Sequence, residues 1–275
     1  MNTNPEESDE YGEKLIQLAE VSRERDKMIN ALLVNGERYS YFSGRQENIE
    51  KSISYYSQAL ELARQNKIDS LIIKSYVSLS EVSRNIPDYE KALNYINKAN
   101  SYAVITKNDS ISARVHLEYG SVFLGKNEKL LALRNLLIAV RMADSMNNIP
   151  LRRLGYNKLA GFYTIVEDYP KAIDFQVRAT ELINQLRSPQ APYLMVQEIN
   201  RTGDLYSFKK DYKMATYYYE KALTLADSLQ YDPIKAMSYR SIINNYLGSD
   251  EPQKALEYFN THPQLKDFLM RVNFS

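Results

Sequence analysis

The chain of 275 residues is 44% hydrophobic and 25% charged, carries a formal net charge of +1 and has no cysteine. That balance describes a folded chain rather than a disordered one and offers no general electrostatic attraction for nucleic acid. It also excludes disulfides, thiolate metal sites and cysteine nucleophiles, and the longest purely apolar runs, such as Leu136 to Val140, are too short to cross a bilayer.

Residues 1–10 are polar and acidic, without the apolar segment of a signal peptide, and are expected to be a tail. A helix follows over 11–28, with Leu15, Leu18, Ala19 and Ser22 on one face. It matches the second half of a hairpin whose first half is missing, so it is either a cap or the mark of a cut. Six complete units are expected at 30–66, 70–106, 110–147, 150–187, 192–230 and 233–262. Asp69-Ser70, Asp109-Ser110 and Asp232-Pro233 are helix-start pairs, because a capping side chain accepts free amide protons and proline loses nothing in a first turn. The same logic explains the Asn108-Asp109-Ser110 sequon as a cap rather than a glycosylation site. Within each unit a polar turn separates two helices of about 14–18 residues, which gives antiparallel hairpins. The loop from Leu186 to Pro192 carries three extra residues and two prolines. Beyond His262, the stripe Leu265, Phe268, Leu269 and Val272 in 263–275 is either a cap or the first helix of a further unit; its modest charge favours the latter.

The units are tied together by columns of small residues. Ser52, Ala92, Ala132 and Ala172 lie forty apart; after a step of 43 come Ala215 and then Ala255. A second column runs Ala59, Ala99, Ala139, Ala179, Ala222 and His262, and a third Ala63, Ala103, Ala143, Ile183 and Ala226. Helix propensity alone favours alanine anywhere on a helix, not in fixed register. Small residues in columns let helix backbones approach to about 8 Å. The chain is therefore a repeat protein, expected to be all-α, one solenoid over 1–275.

These units resemble the tetratricopeptide repeat family across about residues 11–262. First helices carry its large-small-aromatic signature at Leu79-Ser80, at Tyr119-Gly120 with Phe123, at Leu159-Ala160 with Tyr163, and at Gly203 with Tyr206. Second helices carry its Tyr-x-Lys-Ala pattern at 89–95, a close variant at 169–175, and Tyr-Lys-Met-Ala at 212–215. The period of forty exceeds the family's usual thirty-four, and the proline that usually closes the second helix is missing. The resemblance implies a right-handed α-solenoid whose first helices line a concave groove, and a binding scaffold rather than a catalyst.

The residues themselves support no catalytic centre. His116 and His262 have no partners at metal-ligand spacing, and no phosphate loop or nucleophile motif occurs. No enzyme activity, cofactor or metal is expected. On first helices, the residues just before and after the large-small pair should face the groove. In the later units these are Asn157, Lys158 and Gly161, then Asn200, Arg201 and Asp204, then Arg240, Ser241 and Asn244. Val77, Glu81, Leu117, Glu118 and Ser121 make the earlier groove more apolar and acidic. Asparagine amides can bond both N–H and C=O of an extended peptide, so Asn157, Lys158, Asn200, Arg201, Asp204, Arg240 and Asn244 form the candidate peptide-binding set. Asp204 is expected to hold Arg201 or Arg240 in place. The expected partner is a protein or peptide, without contact to nucleic acid or insertion in a membrane; the exposed terminal repeat offers a surface for self-association.

Long-period arrays of this composition are similar to the sensor regions of bacterial histidine kinases and helix-turn-helix regulators. That similarity implies a sensor or adaptor region of a signalling or transcription-regulatory protein, periplasmic if cut from such a chain. The alternative is a free-standing cytoplasmic regulator that binds a short peptide.

Overall fold

The computed structural model describes residues 5–41, 46–230 and 232–262. Among them every regular element is helical. In chain order they are α1 (Pro5–Ser22), α2 (Arg25–Tyr41), α3 (Gln46–Gln65), α4 (Asp69–Asn85), α5 (Tyr89–Thr106), α6 (Asp109–Gly125), α7 (Lys129–Ser145), α8 (Ile149–Ile165), α9 (Tyr169–Glu181) with a 3-10 turn (Leu182–Gln185), α10 (Ala191–Phe208), α11 (Tyr212–Ser228), α12 (Asp232–Gly248) and α13 (Pro252–Thr261). The expected all-α solenoid is what the chain forms. The stripe expected in 263–275 lies outside the described residues.

The helices keep a strict beat. From α4 to α8 a helix of seventeen or eighteen residues alternates with a short turn, so helices start about every twenty residues. At the turns Lys67, Lys107, Asn127, Asn147, Glu167, Lys210, Gln230 and Asp250 all adopt a left-handed backbone, with φ between 50° and 63°. The following residue then returns to the helix end; the amide of Asp168, for instance, donates to the carbonyl of Tyr163 at 2.9 Å. None of these turn residues is glycine, although glycine would adopt that backbone without steric cost.

Caps stand one residue away from the expected pairs. α6 opens at Asp109, but Asn108 is its cap, its Oδ1 accepting from the amide of Ile111 at 3.1 Å. α4 opens at Asp69 after Ile68, which has no capping side chain. Asp69 and Asp109 sit in the first turn instead, where a carboxylate complements the helix dipole. Asp88, Asp168 and Asp211 cap α5, α9 and α11 in the same manner as Asn108. At the chain's start α1 begins at Pro5, not at Tyr11 as expected from the polarity of 1–10. Asp9 explains the difference: it accepts from the Tyr39 hydroxyl at 3.0 Å and pairs with Arg38 at 2.9 Å.

The chain divides into two compact units, residues 1–151 and 152–275. In the first, Tyr76, Leu79, Val82, Ile96 and Val115 form the core between paired helices. In the second, Ala215, Tyr219, Tyr239 and Ile242 do so between α11 and α12. The alanine columns run along these seams. Ala59, Ala99, Ala139, Ala179 and Ala222 are exposed by no more than 1%, as are Ala63, Ala103, Ala143 and Ala226. That burial is why small residues hold register there. Gly203 follows the same rule, since a Cβ there would lie 2.5 Å from the ring of Tyr219.

Candidate functional site

The face made by the first helices α8, α10 and α12 is organised around a residue outside the candidate set, Glu198. It lies near the middle of α10, only 1% exposed. A buried carboxylate is costly unless each oxygen is paired, and here both are. Oε1 accepts from Arg153 at 2.5 Å and from Asn157 at 2.7 Å, both on α8. Oε2 accepts from Gln176 of α9 at 2.7 Å and from Arg201 of α10 at 3.1 Å. One side chain thus joins three helices. Its equivalents in neighbouring repeats, Ser75, Val115, Gly155 and Ser238, are small or apolar, so no column pattern announces it.

This network draws some candidate residues inward. Asn157 spends its amide N–H on Glu198. Asn200 is 2% exposed and donates to the Ser238 hydroxyl of α12 at 2.9 Å, linking successive first helices. The Oδ1 atoms of both asparagines are buried without a protein partner. Asp204 accepts from the Tyr219 hydroxyl at 2.8 Å, and Arg201 turns to Glu198, so the contact expected between Asp204 and an arginine gives way to these two. Burial pushes the Asp204 carboxyl above the usual carboxylate range, partly offset by the Tyr219 bond and the charge of Arg201. Burial and the facing Asp204 likewise push the Tyr219 phenol up.

Other candidates stay at the surface. The Arg201 side chain remains 54% exposed while its one end is held by Glu198. Arg240 and Asn244 are exposed on α12, and Lys158 is half-buried on α8. One turn beyond Asn157 stands Gly161, exposed, with no atom within 4 Å of where its Cβ would be. Glycine within a helix costs roughly 0.5–1 kcal/mol against alanine, and packing within the chain does not require it here. The face therefore presents Arg201, Arg240 and Asn244 beside a stretch of bare helix backbone. The earlier face differs: Glu118 is buried, accepting from Ser80 at 3.1 Å and pairing with Arg84 at 3.4 Å, and Leu117 is buried beside it.

The family model described as tetratricopeptide repeat matches residues 38–66 and 200–228. Each stretch contains a second helix, α3 and α11, with its own seam alanines. The hairpins that hold these two stretches match tetratricopeptide repeats.

Relatives are similar at a distance. The 43 kDa receptor-associated protein of the synapse from Gallus gallus is 25% identical over 125 residues, 46% of this chain and 30% of that protein. The match thus spans less than a third of that relative's length. A Signal Transduction ATPase with Numerous Domains protein with a tetratricopeptide repeat sensor, from Pyrococcus horikoshii, superposes with a TM-score of 0.64 at 15% identity, over 98% of this chain and 42% of that one. A Rap protein complexed with competence and sporulation factor gives a TM-score of 0.57 at 15% identity, over 96% of this chain and 78% of that one. At such identities the likeness shows a shared fold. A tetratricopeptide array of this kind is a protein-interaction scaffold. Among the described residues no helix is long and apolar enough to cross a membrane.

Proposed function

We propose that this chain is the sensor or adaptor region of a bacterial signal-transduction or transcription-regulatory protein, and that the first-helix face of α8, α10 and α12 binds an extended acidic peptide segment. The observation that carries this reading is the charge at that face. Glu198 is buried and answered by both Arg153 and Arg201, so positive charge exceeds negative where Arg201 and the exposed Arg240 reach solvent. Gly161 lets a ligand backbone lie directly on α8, and Asn244 offers an amide to pair with it.

The spacing suits an extended chain. Packed helices lie about 8–10 Å apart and an extended peptide rises about 3.3 Å per residue, so successive first helices would meet every third residue. Charge-assisted bonds to Arg201 and Arg240 select acidic side chains, each typically worth about 1.5–3 kcal/mol. Asn157 and Asn200 position the face from within. The likeness to a solved tetratricopeptide repeat sensor supports the signalling part of the reading.

A peptide-array screen followed by titration of the best acidic hit tests the site. Arg240→Glu should weaken binding by about ten-fold or more with an unchanged melting temperature, because the side chain is exposed. Equal affinity in the variant, or a screen without preference for acidic peptides, would remove this face from consideration.

A further inference from the structure

A cleft opens away from that face, on the side of the second helices. It measures about 710 Å³ and lies between the end of α9 with its 3-10 turn, α10, and α11, with Met195, Ile199, Tyr218 and Leu225 among the residues that line it. Its origin can be traced to particular side chains. Position 199 belongs to a column that reads Tyr76, His116, Tyr156, Ile199 and Tyr239 along the repeats, and position 202 to one that reads Leu79, Tyr119, Leu159, Thr202 and Ile242. Repeat five is thus short of bulk in both columns at once.

The neighbouring repeats show what stands there otherwise. The ring of Tyr76 lies 6.2 Å from each of the rings of Tyr95 and Tyr102, whose counterparts in repeat five are Tyr218 and Leu225. Tyr156 lies 5.8 Å from Phe175, and Tyr239 6.1 Å from Tyr258, in the same arrangement. In repeat one α2 begins 44 residues before α4, which sets Leu32 in the place of Tyr76, and there too a cleft opens, of about 510 Å³, beside Leu32, Tyr39 and Tyr55. Two clefts thus lie where the tyrosine is replaced, by Leu32 and by Ile199.

We propose that the cleft of repeat five is a small-molecule site for a neutral ligand bearing a phenol ring, the ring taking the place that tyrosine occupies in adjacent repeats. Tyr218 and Leu225 provide the facing apolar surface, as Tyr95 and Tyr102 do for Tyr76. The hydroxyl has a partner by the same correspondence. Arg64 donates to the Tyr76 hydroxyl from the preceding second helix, and forty-residue steps carry position 64 to Asn184, which lines the cleft. Thr202, Thr224 and Ser228 add hydroxyls at the walls. Glu181 and Lys221 stand at the same cleft with opposite charges, so no net charge selects an ion. A phenol fills only part of the volume, and clefts of about 300–1,000 Å³ suit drug-sized molecules.

The test uses 4-ethylphenol, with ethylbenzene as the same shape lacking the hydroxyl, titrated into the whole chain with methyl resonances as the readout. The signals of Ile199, Thr202, Thr224 and Leu225 should move with 4-ethylphenol while those of Leu79 and Val82 in the first unit stay fixed. Asn184→Ala should weaken 4-ethylphenol by about five-fold and leave ethylbenzene unchanged. Ile199→Tyr should abolish binding of both. Thr202→Leu restores a side chain that Leu79 and Leu159 show the fold accepts, and should block binding as well if the tyrosine distorts α10. Still methyl signals in the cleft, or binding that survives both filling variants, would overturn the site. Equal affinity for ethylbenzene and 4-ethylphenol would overturn its preference for phenols.

Discussion

Two carboxylates on α10 illustrate how burial is tolerated only where partners converge. Glu198 has four donors for two oxygens, from Arg153, Asn157, Gln176 and Arg201. Replacing it with alanine strands buried arginine and amide groups, so Glu198→Ala should cost about 3–5 kcal/mol in urea denaturation. Asp174→Ala, which removes a surface pair with Arg178, should cost no more than about 1 kcal/mol; equal losses would show that the network contributes nothing special. Asp204 is the opposite case, with one hydroxyl donor and a carboxyl pushed up by burial. A folded-state value above the unfolded one means the folded chain binds the proton more tightly. Its stabilising effect is thus fully present below the unfolded carboxylate range and is lost as pH rises through the folded value. Asp204→Asn keeps an acceptor for Tyr219 and removes that loss. The variant should be more stable than the parent at neutral pH, with the gap closing in acid; a gap that widens in acid would reverse the assigned sign.

At the scale of the helix, the seam is set by side-chain volume. Ala139 of α7 is 1% exposed, and a leucine there should overpack the hairpin with α6 at about 1–3 kcal/mol. Leu130, nine residues earlier in sequence, is 86% exposed, so Leu130→Ser should stay within about 0.5 kcal/mol. Thermal melts of both variants check the pair, and similar shifts would place the seam elsewhere. That seam was legible in the sequence because a packing column is a repeated constraint: Ala59, Ala99 and Ala139 each answer the same close approach. Caps were legible only to within a residue, since Asn108 and Asp109 are both good candidates and backbone geometry decides between them. The start of α1 was hidden because Asp9 is ordered by Tyr39 and Arg38, thirty residues away. The core of the candidate site was hidden for a related reason. Glu198 stands alone in its column, and its four partners come from three helices, one of them offset by the three extra residues of the 186–192 loop. Exposed Arg201, Arg240 and Asn244 could be named in advance, whereas the inward turn of Asn200 depended on Ser238 lying opposite.

For the molecule as a whole, stability in a repeat array is close to a sum of units and nearest-neighbour interfaces. A lesion should therefore stay local. In Glu198→Ala, amide hydrogen exchange should speed up across α8, α9 and α10 while α4 and α5 keep their protection. Uniform loss of protection along the chain would mean a single cooperative fold instead. The turns carry a further consequence. Lys67 and Lys107 hold the same left-handed backbone, forty residues apart and each one residue before the position that precedes a helix. Cutting out 69–108 would join Ile68 directly to Asp109, and the ribbon would meet its own phase again: same bend, same helix start, same alanine seam downstream. A cut of equal length spanning 186–192 would not, because three residues of slip would turn every later helix by most of a turn. The architecture thus behaves like a measured tape, tolerant of whole lengths added or removed on one side of that loop, and the three added residues set α10 and the cleft beside it off that measure.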